Sequence, residues 1–414
     1  MYKTFFTNQF DKKLINSDKR GNIMDSNTQR AWAQISLDAI ASNFKNIRKI
    51  TSKNAKIMAV IKADAYGHGV FQIAKTLLEN GADAFAVAIL DEAKQLRRLG
   101  FDVPILILGN TNREFCDELI EYNVMPTVSS YDMAKAMSDA AQKKNTTAKI
   151  HIKLDTGMSR LGFVCDEKNA SATIEEIKKI ASLPNIEIDG IFTHLSCADE
   201  DEDEYTFMQY ERFMKICDAL MQSGVHIGKR HICNSAAIVL YPHMHLDMVR
   251  LGIVLYGLHP SPRTEGKIAL EGAMSIKARV TFVKNIEEKI GVGYGKEYIT
   301  NTPVTLATIP IGYADGYSRL LAKKASMLHN GKKLSVVGRI CMDQCMIDAT
   351  NADNINVDDV VTIIGKDGDE CISAAELATQ MGTINYEIVC IVGKRMPRVY
   401  TVGDSVVDVL NSLA

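Results

Sequence analysis

The chain has 414 residues, a formal net charge of −2 and 46% apolar residues, enough for two or three domains with a core of ordinary size. A near-neutral charge with no basic stripe on any predicted helix excludes a nucleic-acid footprint. No apolar stretch reaches the length of a membrane span, so neither nucleic acid nor a membrane is an expected partner.

Nine cysteines, an odd number scattered through predicted helices and strands, fit reduced thiols in a cytoplasmic chain better than a disulfide framework. Cys341 and Cys345 are the closest pair. Without a second pair nearby they do not make a tetrahedral zinc site, and no metal is expected.

Residues 1–29 are polar and mixed in charge, with no apolar signal-peptide core. They read as a disordered extension, with Met24 as an alternative start. From residue 30 to 262 short apolar runs alternate with longer amphipathic ones. The expected strands are Ile57–Ala63, Ala84–Leu90, Pro104–Gly109, Met125–Ser129, Lys149–Asp155, Ile186–His194, Arg230–Asn234 and Met248–Gly252. Helical spacing marks Phe71–Glu79, Asp91–Leu99, Tyr131–Ala141, Thr173–Ala181 and Phe207–Met221 between them. Eight strand–helix units in this length match a (β/α)8 barrel of the TIM type, in the α/β class. A doubly wound open sheet is the competing topology, but residues able to bind ligands fall at the ends of nearly every strand, which favours the barrel.

Beyond His259–Pro262 the runs shorten and become β-branched: Ala278–Val283, Val304–Ile311, Lys333–Val337, Cys345–Ile347 and Val360–Ile364. Residues 263–414 should therefore form a mostly β domain.

Lys62 ends the first apolar run and enters a Gly-rich turn, which puts a lone amine at the carboxyl end of a strand. Burial there lowers a lysine's pKa and makes it a nucleophile toward aldehydes, as a Schiff base with pyridoxal phosphate requires. A salt-bridged or snorkelling lysine is the competing reading. After the seventh and eighth strands, Asn234, Ser235, Gly252 and Ile253 offer a phosphate cradle, although Asn-Ser before a helix is also an ordinary cap. Arg250, next to the cradle, could reach the far edge of a bound heterocycle and keep a pyridine nitrogen unprotonated.

Many segments resemble one family. Ala59–Gly69, Lys153–Gly162, Thr193-His194, Met248–Gly252, Val292–Gly295, Gly312–Gly316, Gly338–Gln344 and Asn385–Glu387 are all similar to the motifs of alanine racemases, in the family's order and across both domains. The resemblance implies a pyridoxal 5'-phosphate enzyme that interconverts L- and D-alanine with two bases, Lys62 on one face of the α-carbon and Tyr294 on the other. Tyr294 would arrive from the partner subunit of a head-to-tail homodimer.

Tyr66, Ser235, Gly252, Ile253 and Tyr386 match the family's phosphate ligands. His194 and Arg250 match the residues beneath the cofactor ring, with His231 supporting Arg250. Arg160, Met342 and Asp343 match the contacts to the substrate carboxylate, and Tyr313 with Tyr386 matches the aromatic gate. Lys153 matches a lysine that many members carbamylate.

Two departures stand out: Asp64 replaces a common asparagine, and Glu287–Gly291 is irregular. The family implies D-alanine supply for peptidoglycan. A serine or broad-specificity racemase would share every catalytic group. A single-barrel carrier of pyridoxal phosphate would lack Tyr294 and the β domain, and the related decarboxylases lack the Val292–Gly295 pattern.

Overall fold

The computed structural model describes Thr28 and residues 30–413. Apart from Thr28, the expected amino-terminal extension lies outside the described residues. The chain divides into two compact units. One joins Ser36–Ala273 to Asn385–Cys390, and the other joins the segment ending at Ile35 to Met274–Ile384 and the segment from Ile391 onward.

Strands are numbered in chain order. β1 (Ala31–Ser36) belongs to the second unit through Ile35. The first unit is built on β2 (Lys56–Val60), β3 (Ala84–Val87), β4 (Ile105–Ile107), β5 (Met125–Val128), β6 (Ala148–Asp155), β7 (Phe163–Val164), β8 (Ile186–Phe192), β9 (Lys229–His231) and β10 (Met248–Leu251). Eight of these run parallel in the order β10-β2-β3-β4-β5-β6-β8-β9, and β7 pairs with the end of β6 off this path. The ring nearly closes where Asp247 N–H donates to Arg230 O at 3.2 Å and Arg250 N–H donates to Cys233 O at 3.0 Å.

Continuous apolar runs such as Ile105–Ile107 are buried on both faces, as a parallel sheet under helices requires. Each covering helix supplies one apolar stripe. Val70–Glu79 buries Val70, Ile73, Ala74 and Leu77 at three- and four-residue spacing. All eight expected barrel strands form, most of them ending earlier than expected because the last residues of each run turn away into the loops.

The domain limits differ from those expected. Residues 30–35 do not open the barrel: β1 pairs antiparallel with β11 (Met274–Arg279), Ala33 facing Ile276. The helix Leu37–Ile50, not expected from the sequence, follows directly under a Ser36 cap. The barrel unit also continues past residue 262, to Ala273. The buried Asn43 explains this: its amide donates to Leu255 O at 3.1 Å and to Glu271 O at 2.8 Å, and accepts from Glu271 N–H at 2.8 Å. Three bonds from one side chain pin residues 255–271 to the helix Leu37–Ile50.

The second unit carries an eleven-stranded sheet among the described residues. After β11 come β12 (Phe282–Ile286), β13 (Gly291–Val292), β14 (Tyr298–Ile299), β15 (Val304–Ile309), β16 (Ser326–His329), β17 (Lys332–Val337), β18 (Cys345–Asp348), β19 (Val360–Asp367), β20 (Glu370–Ile372), β21 (Arg398–Val402) and β22 (Ser405–Leu410). β13 and β14 pair as a separate hairpin.

The expected run Ala278–Val283 is split between β11 and β12 because its hydrogen bonding changes partner. Val280 N–H reaches Asp359 O and Thr281 N–H reaches Thr308 O. The irregular loop before β13 is tied down by Thr300, whose hydroxyl donates to Glu287 O at 2.7 Å and accepts from Ile290 N–H at 2.9 Å.

Replacing Asn43 by Ala leaves two carbonyls and one N–H unpaired in the barrel unit. Urea unfolding of Asn43→Ala should show a loss of about 2–4 kcal/mol; a loss under about 1 kcal/mol would show that water replaces the amide freely.

Candidate active site

Lys62 stands two residues beyond β2, at the start of an unusual turn. Ala63, Asp64, Ala65 and Tyr66 all have φ near 53°, in the left-handed region, where each L-residue costs about 1–2 kcal/mol. Surrounding groups hold the turn in place. Glu92 accepts from Ala63 N–H at 2.6 Å while also accepting from Ala88 N–H at 2.7 Å, which locks the turn to the end of β3. The buried His68 uses Nδ1 on Tyr66 O at 2.9 Å and Ala65 O at 3.1 Å. Asp64, the departure from asparagine, accepts from Val70 N–H at 2.7 Å and so caps the next helix. At Gly67, with φ +79°, a Cβ would lie 2.3 Å from Val389 O. Glycine there lets the Asn385–Cys390 segment close over the turn, bringing the Tyr386 ring to 6.3 Å from that of Tyr66.

Burial lowers the pKa of the half-buried Lys62, and the Arg160 charge adds to the effect. Burial likewise raises the phenols of Tyr66 and Tyr386, so both stay protonated.

Across the same barrel end, Ser235 Oγ accepts from Gly252 N–H at 3.1 Å. A Cβ on Gly252 would come within 3.2 Å of the Tyr66 hydroxyl and 3.4 Å of Ser235 Oγ, so two hydroxyls converge on this glycine. Ile253 opens a 3-10 turn, where its N–H has no partner within the turn. Asn234 proves to be a cap: Oδ1 accepts from Ala237 N–H at 3.0 Å and Nδ2 donates to Leu195 O at 3.3 Å. These bonds fix the residue that precedes Ser235.

Arg250 is buried with no carboxylate partner among the described residues. Its Nη1 donates to His231 Nδ1 at 3.0 Å and His231 O at 2.9 Å; its Nη2 donates to Thr193 O at 2.7 Å, Ile232 O at 3.0 Å and His194 Nδ1 at 3.1 Å. Only its Nε–H lacks an acceptor among the described residues. Burial draws the guanidinium down to about 10, still charged at neutral pH. Because a guanidinium only donates, His194 and His231 must both accept at Nδ1, which makes them neutral Nε2–H tautomers. Burial, reinforced by Arg250, pushes both well below the ordinary histidine range.

Lys153 is buried with its nitrogen 4.6 Å from the Phe192 ring centroid. Burial, then Arg250 and Arg160, drives it well below the usual lysine value. Lys62, Lys153, Arg160 and Arg250 thus cluster as cations or potential cations, none in an ion pair among the described residues. A site of this charge is built for anions. With a deprotonatable amine, converging hydroxyls and one unused guanidinium N–H, these residues fit pyridoxal phosphate.

The other four expected residues lie in the second unit. Tyr294, Tyr313 and Met342 are 70%, 44% and 53% exposed. Tyr313 N–H and Ala314 N–H bond to Cys341 O and Met342 O, which ties two of the loops together. Asp343 pairs with Arg395 at 2.8 Å. The hairpin that carries Tyr294 packs on Arg339, whose Nη1 would lie 3.1 Å from a Cβ on Gly295. The unit thereby gathers polar and aromatic side chains on exposed loops of its own.

Sequence reasoning missed Glu92, His151 and Asp189. His151 was within reach, since it lies two residues before Lys153 on the same face of β6.

A parallel barrel with an activated amine and an anion-seeking cluster at its strand ends, followed by a β domain, defines a class of amine-dependent barrel enzymes. The comparisons make it specific. Residues 35–260 match the family description "Alanine racemase, N-terminal domain" and residues 273–400 match "Alanine racemase, C-terminal domain". The alanine racemase of Methanococcus maripaludis is 47% identical over 370 residues, covering 89% of this chain and 98% of that protein. The solved alanine racemase of Clostridium difficile 630 is 38% identical with a TM-score of 0.88, covering 93% of this chain and 99% of that one. A solved histidine racemase from Leuconostoc mesenteroides subsp. sake is 30% identical with a TM-score of 0.81, over 90% and 98% of the two chains. The chain belongs to the alanine racemase family and is an isomerase.

The buried histidines also set an acid limit on stability. His151, His194 and His231 are all depressed, chiefly by burial, so below the unfolded-state value of about 6.5 the unfolded chain binds protons that the native one refuses. Their stabilising contribution is complete above that value. It is lost as pH falls toward the native values, at up to about 1.4 kcal/mol per pH unit for each histidine. Urea unfolding at pH 7.5 and 5.5 should show a marked loss at the lower pH; equal stability would contradict the neutral assignments.

Proposed function

We propose that this enzyme interconverts L- and D-alanine with pyridoxal 5'-phosphate held in the barrel. The observation that carries the reading is the unneutralised cluster of Lys62, Lys153, Arg160 and Arg250 around a depressed amine, which suits a phosphorylated aldehyde and a substrate carboxylate together. When bound, the cofactor supplies an electron sink for negative charge at the substrate α-carbon.

Lys62 Nζ would be the group that holds the cofactor covalently, and as a free amine it would take or return the substrate α-proton on one face. Tyr66, Ser235, Gly252, Ile253 and Tyr386 bind the phosphate, with Asn234 fixing Ser235. Arg250, whose Nε–H has no acceptor among the described residues, would offer that donor to the ring nitrogen. Because it does not surrender that proton, it keeps the ring a moderate sink and limits side reactions. His194 would support the cofactor ring, and Arg160 would bind the substrate carboxylate. Lys153 is neutral enough to take up carbon dioxide, and the carbamate it forms holds Arg160.

Tyr294, Tyr313, Met342 and Asp343 act from a second copy of the chain. Tyr294 serves as the base on the opposite face, Met342 and Asp343 contact the carboxylate, and Tyr313 with Tyr386 narrows the pocket to a methyl side chain. The protein is thus a head-to-tail homodimer in the cytoplasm, supplying D-alanine for peptidoglycan. Its nine free cysteines agree with a reducing compartment.

The likeness to a histidine racemase supports one rival, a racemase of broader specificity on the same scaffold. Chiral chromatography of the loaded protein with L-alanine, D-alanine, L-serine and L-histidine separates the two. Equal alanine mixtures from both sides, with the other amino acids much slower, support the main reading; serine or histidine at equal rates supports the rival.

Lys62→Ala should lose the bound-cofactor absorbance and about 10³-fold or more of turnover. Tyr294→Phe should racemise neither isomer, and should lose α-proton exchange with solvent chiefly from L-alanine, because Lys62 still serves the other face. Neither variant should be active alone, but mixed and reassociated they should recover about a quarter of wild-type activity, because each heterodimer regains one complete site. No recovery would exclude a shared site. For Lys153, growth with ¹³C-bicarbonate should give a carbamate resonance that Lys153→Ala lacks; its absence from the wild type removes the carbamate.

A further inference from the structure

We infer that Asp189 and His151 are positioning residues for Arg250, acting through His231 to aim the guanidinium. The inference rests on the reading of Arg250 as the group that faces the cofactor ring.

Four side chains on four strands form one directed chain. Arg250 on β10 donates to His231 Nδ1, so the His231 proton is on Nε2. That nitrogen lies 2.9 Å from His151 Nδ1 on β6, so His151 accepts there and carries its own proton on Nε2. His151 Nε2–H then donates to Asp189 Oδ2 on β8 at 3.3 Å. Reversing either ring sets two N–H groups, or two lone pairs, against each other. Asp189 anchors the chain as a carboxylate held well below its ordinary range by the His151 hydrogen bond, and Lys229 pairs with both its oxygens at 2.9 Å. Each ring's accepting nitrogen is already engaged, and no group of three His, Cys, Asp or Glu among the described residues is arranged to hold a metal.

The backbone is shaped around this chain. Ile150 faces Ile188 but His151 faces Gly190, which leaves Asp189 as the extra residue of a β-bulge. A Cβ at Gly190 would lie 2.5 Å from His151 Cε1, and one at Gly228, with φ +63°, would lie 2.2 Å from Asp189 O. A glycine within β8, a left-handed glycine just before β9 and a bulge therefore make room for His151 and Asp189. Phe192 stacks flat on His231, with centroids 4.8 Å apart and planes at 4°, and keeps that ring from tilting.

Asp189→Asn is the informative substitution. It keeps the shape but can turn its amide N–H₂ toward His151 Nε2, which reverses both rings and puts His231 Nδ1–H against the Arg250 donors. The test uses the full chain loaded with pyridoxal phosphate and labelled with ¹⁵N-histidine, read by long-range proton–nitrogen correlation, with alanine kinetics and melting alongside.

The expected result is neutral Nε2–H at His151 and His231 in the wild type and reversed rings in Asp189→Asn. Turnover should be lower by about 10- to 100-fold with KM within about twofold, and the bound-cofactor absorption maximum should move. Gly190→Ala, which leaves every polar group in place but crowds the His151 ring, should lower turnover in the same way. Nδ1–H on His231 in the wild type would overturn the inference. So would ring reversal with turnover within twofold, or lost turnover with the rings unchanged. A wild type that racemises no alanine refutes the functional reading instead, since the ring protonation and cofactor spectrum still decide the positioning chain.

Discussion

A buried guanidinium without a carboxylate is the constraint around which the barrel site is organised. Taking Arg250 out of water is costly unless its N–H groups find partners, and here neutral acceptors supply them: three backbone carbonyls and two imidazole nitrogens. Those carbonyls belong to Thr193, His231 and Ile232, at the carboxyl ends of β8 and β9, where parallel strands leave backbone oxygens unclaimed by the sheet. The choice of neutral acceptors has a consequence for charge. With no anion to offset it, Arg250 adds to the burial that depresses His194, His231 and Lys153, and the barrel end is left receptive to anions.

The turn after β2 shows a second kind of constraint, one of backbone shape. Four successive left-handed residues, none of them glycine, would not persist in isolation. They are held by Glu92 from the neighbouring strand–helix junction, by His68 folding back on its own turn, and by Asp64 capping the helix that follows. Lys62 is thus fixed at its root while its amine stays free, the combination a covalent cofactor link needs. The apparent departure at Asp64 has a structural use, because a carboxylate at the start of a helix accepts from its first N–H.

The β unit gathers its own functional side chains by a different means. Tyr313, Met342 and Asp343 come together because Gly312–Gly316 hydrogen-bonds along the Cys341–Met342 backbone. Gly312 allows the approach, since a Cβ there would lie 2.3 Å from Cys341 O. The buried Asp315 braces the same loop, accepting from Arg30 at 2.6 and 3.0 Å, Arg395 at 3.1 Å and Gly312 N–H at 3.1 Å. Large exposed side chains on a braced scaffold suit docking against another surface.

Much of this was legible in the chain itself, because its signals are local. Apolar runs of strand length alternating with amphipathic helices specify a barrel, since each element's period shows which face must be buried, and Lys62 at the end of such a run already marks a strand-end amine. The motifs at Asn234-Ser235 and Arg250–Gly252 likewise place donors at the ends of two named strands. What the sequence could not decide depends on contacts between residues far apart in it. Residues 30–35 join the β unit only because strand β11 comes back to pair with them, and the barrel extends to Ala273 because Asn43 reaches two carbonyls more than two hundred positions away. The Asp189–His151–His231 chain was invisible for the same reason: its members occupy three strands, and only closure of the barrel sets each ring nitrogen opposite its partner. Periodicity is a property of neighbouring residues, whereas the direction of a hydrogen bond belongs to a pair, and tertiary structure alone brings such pairs together.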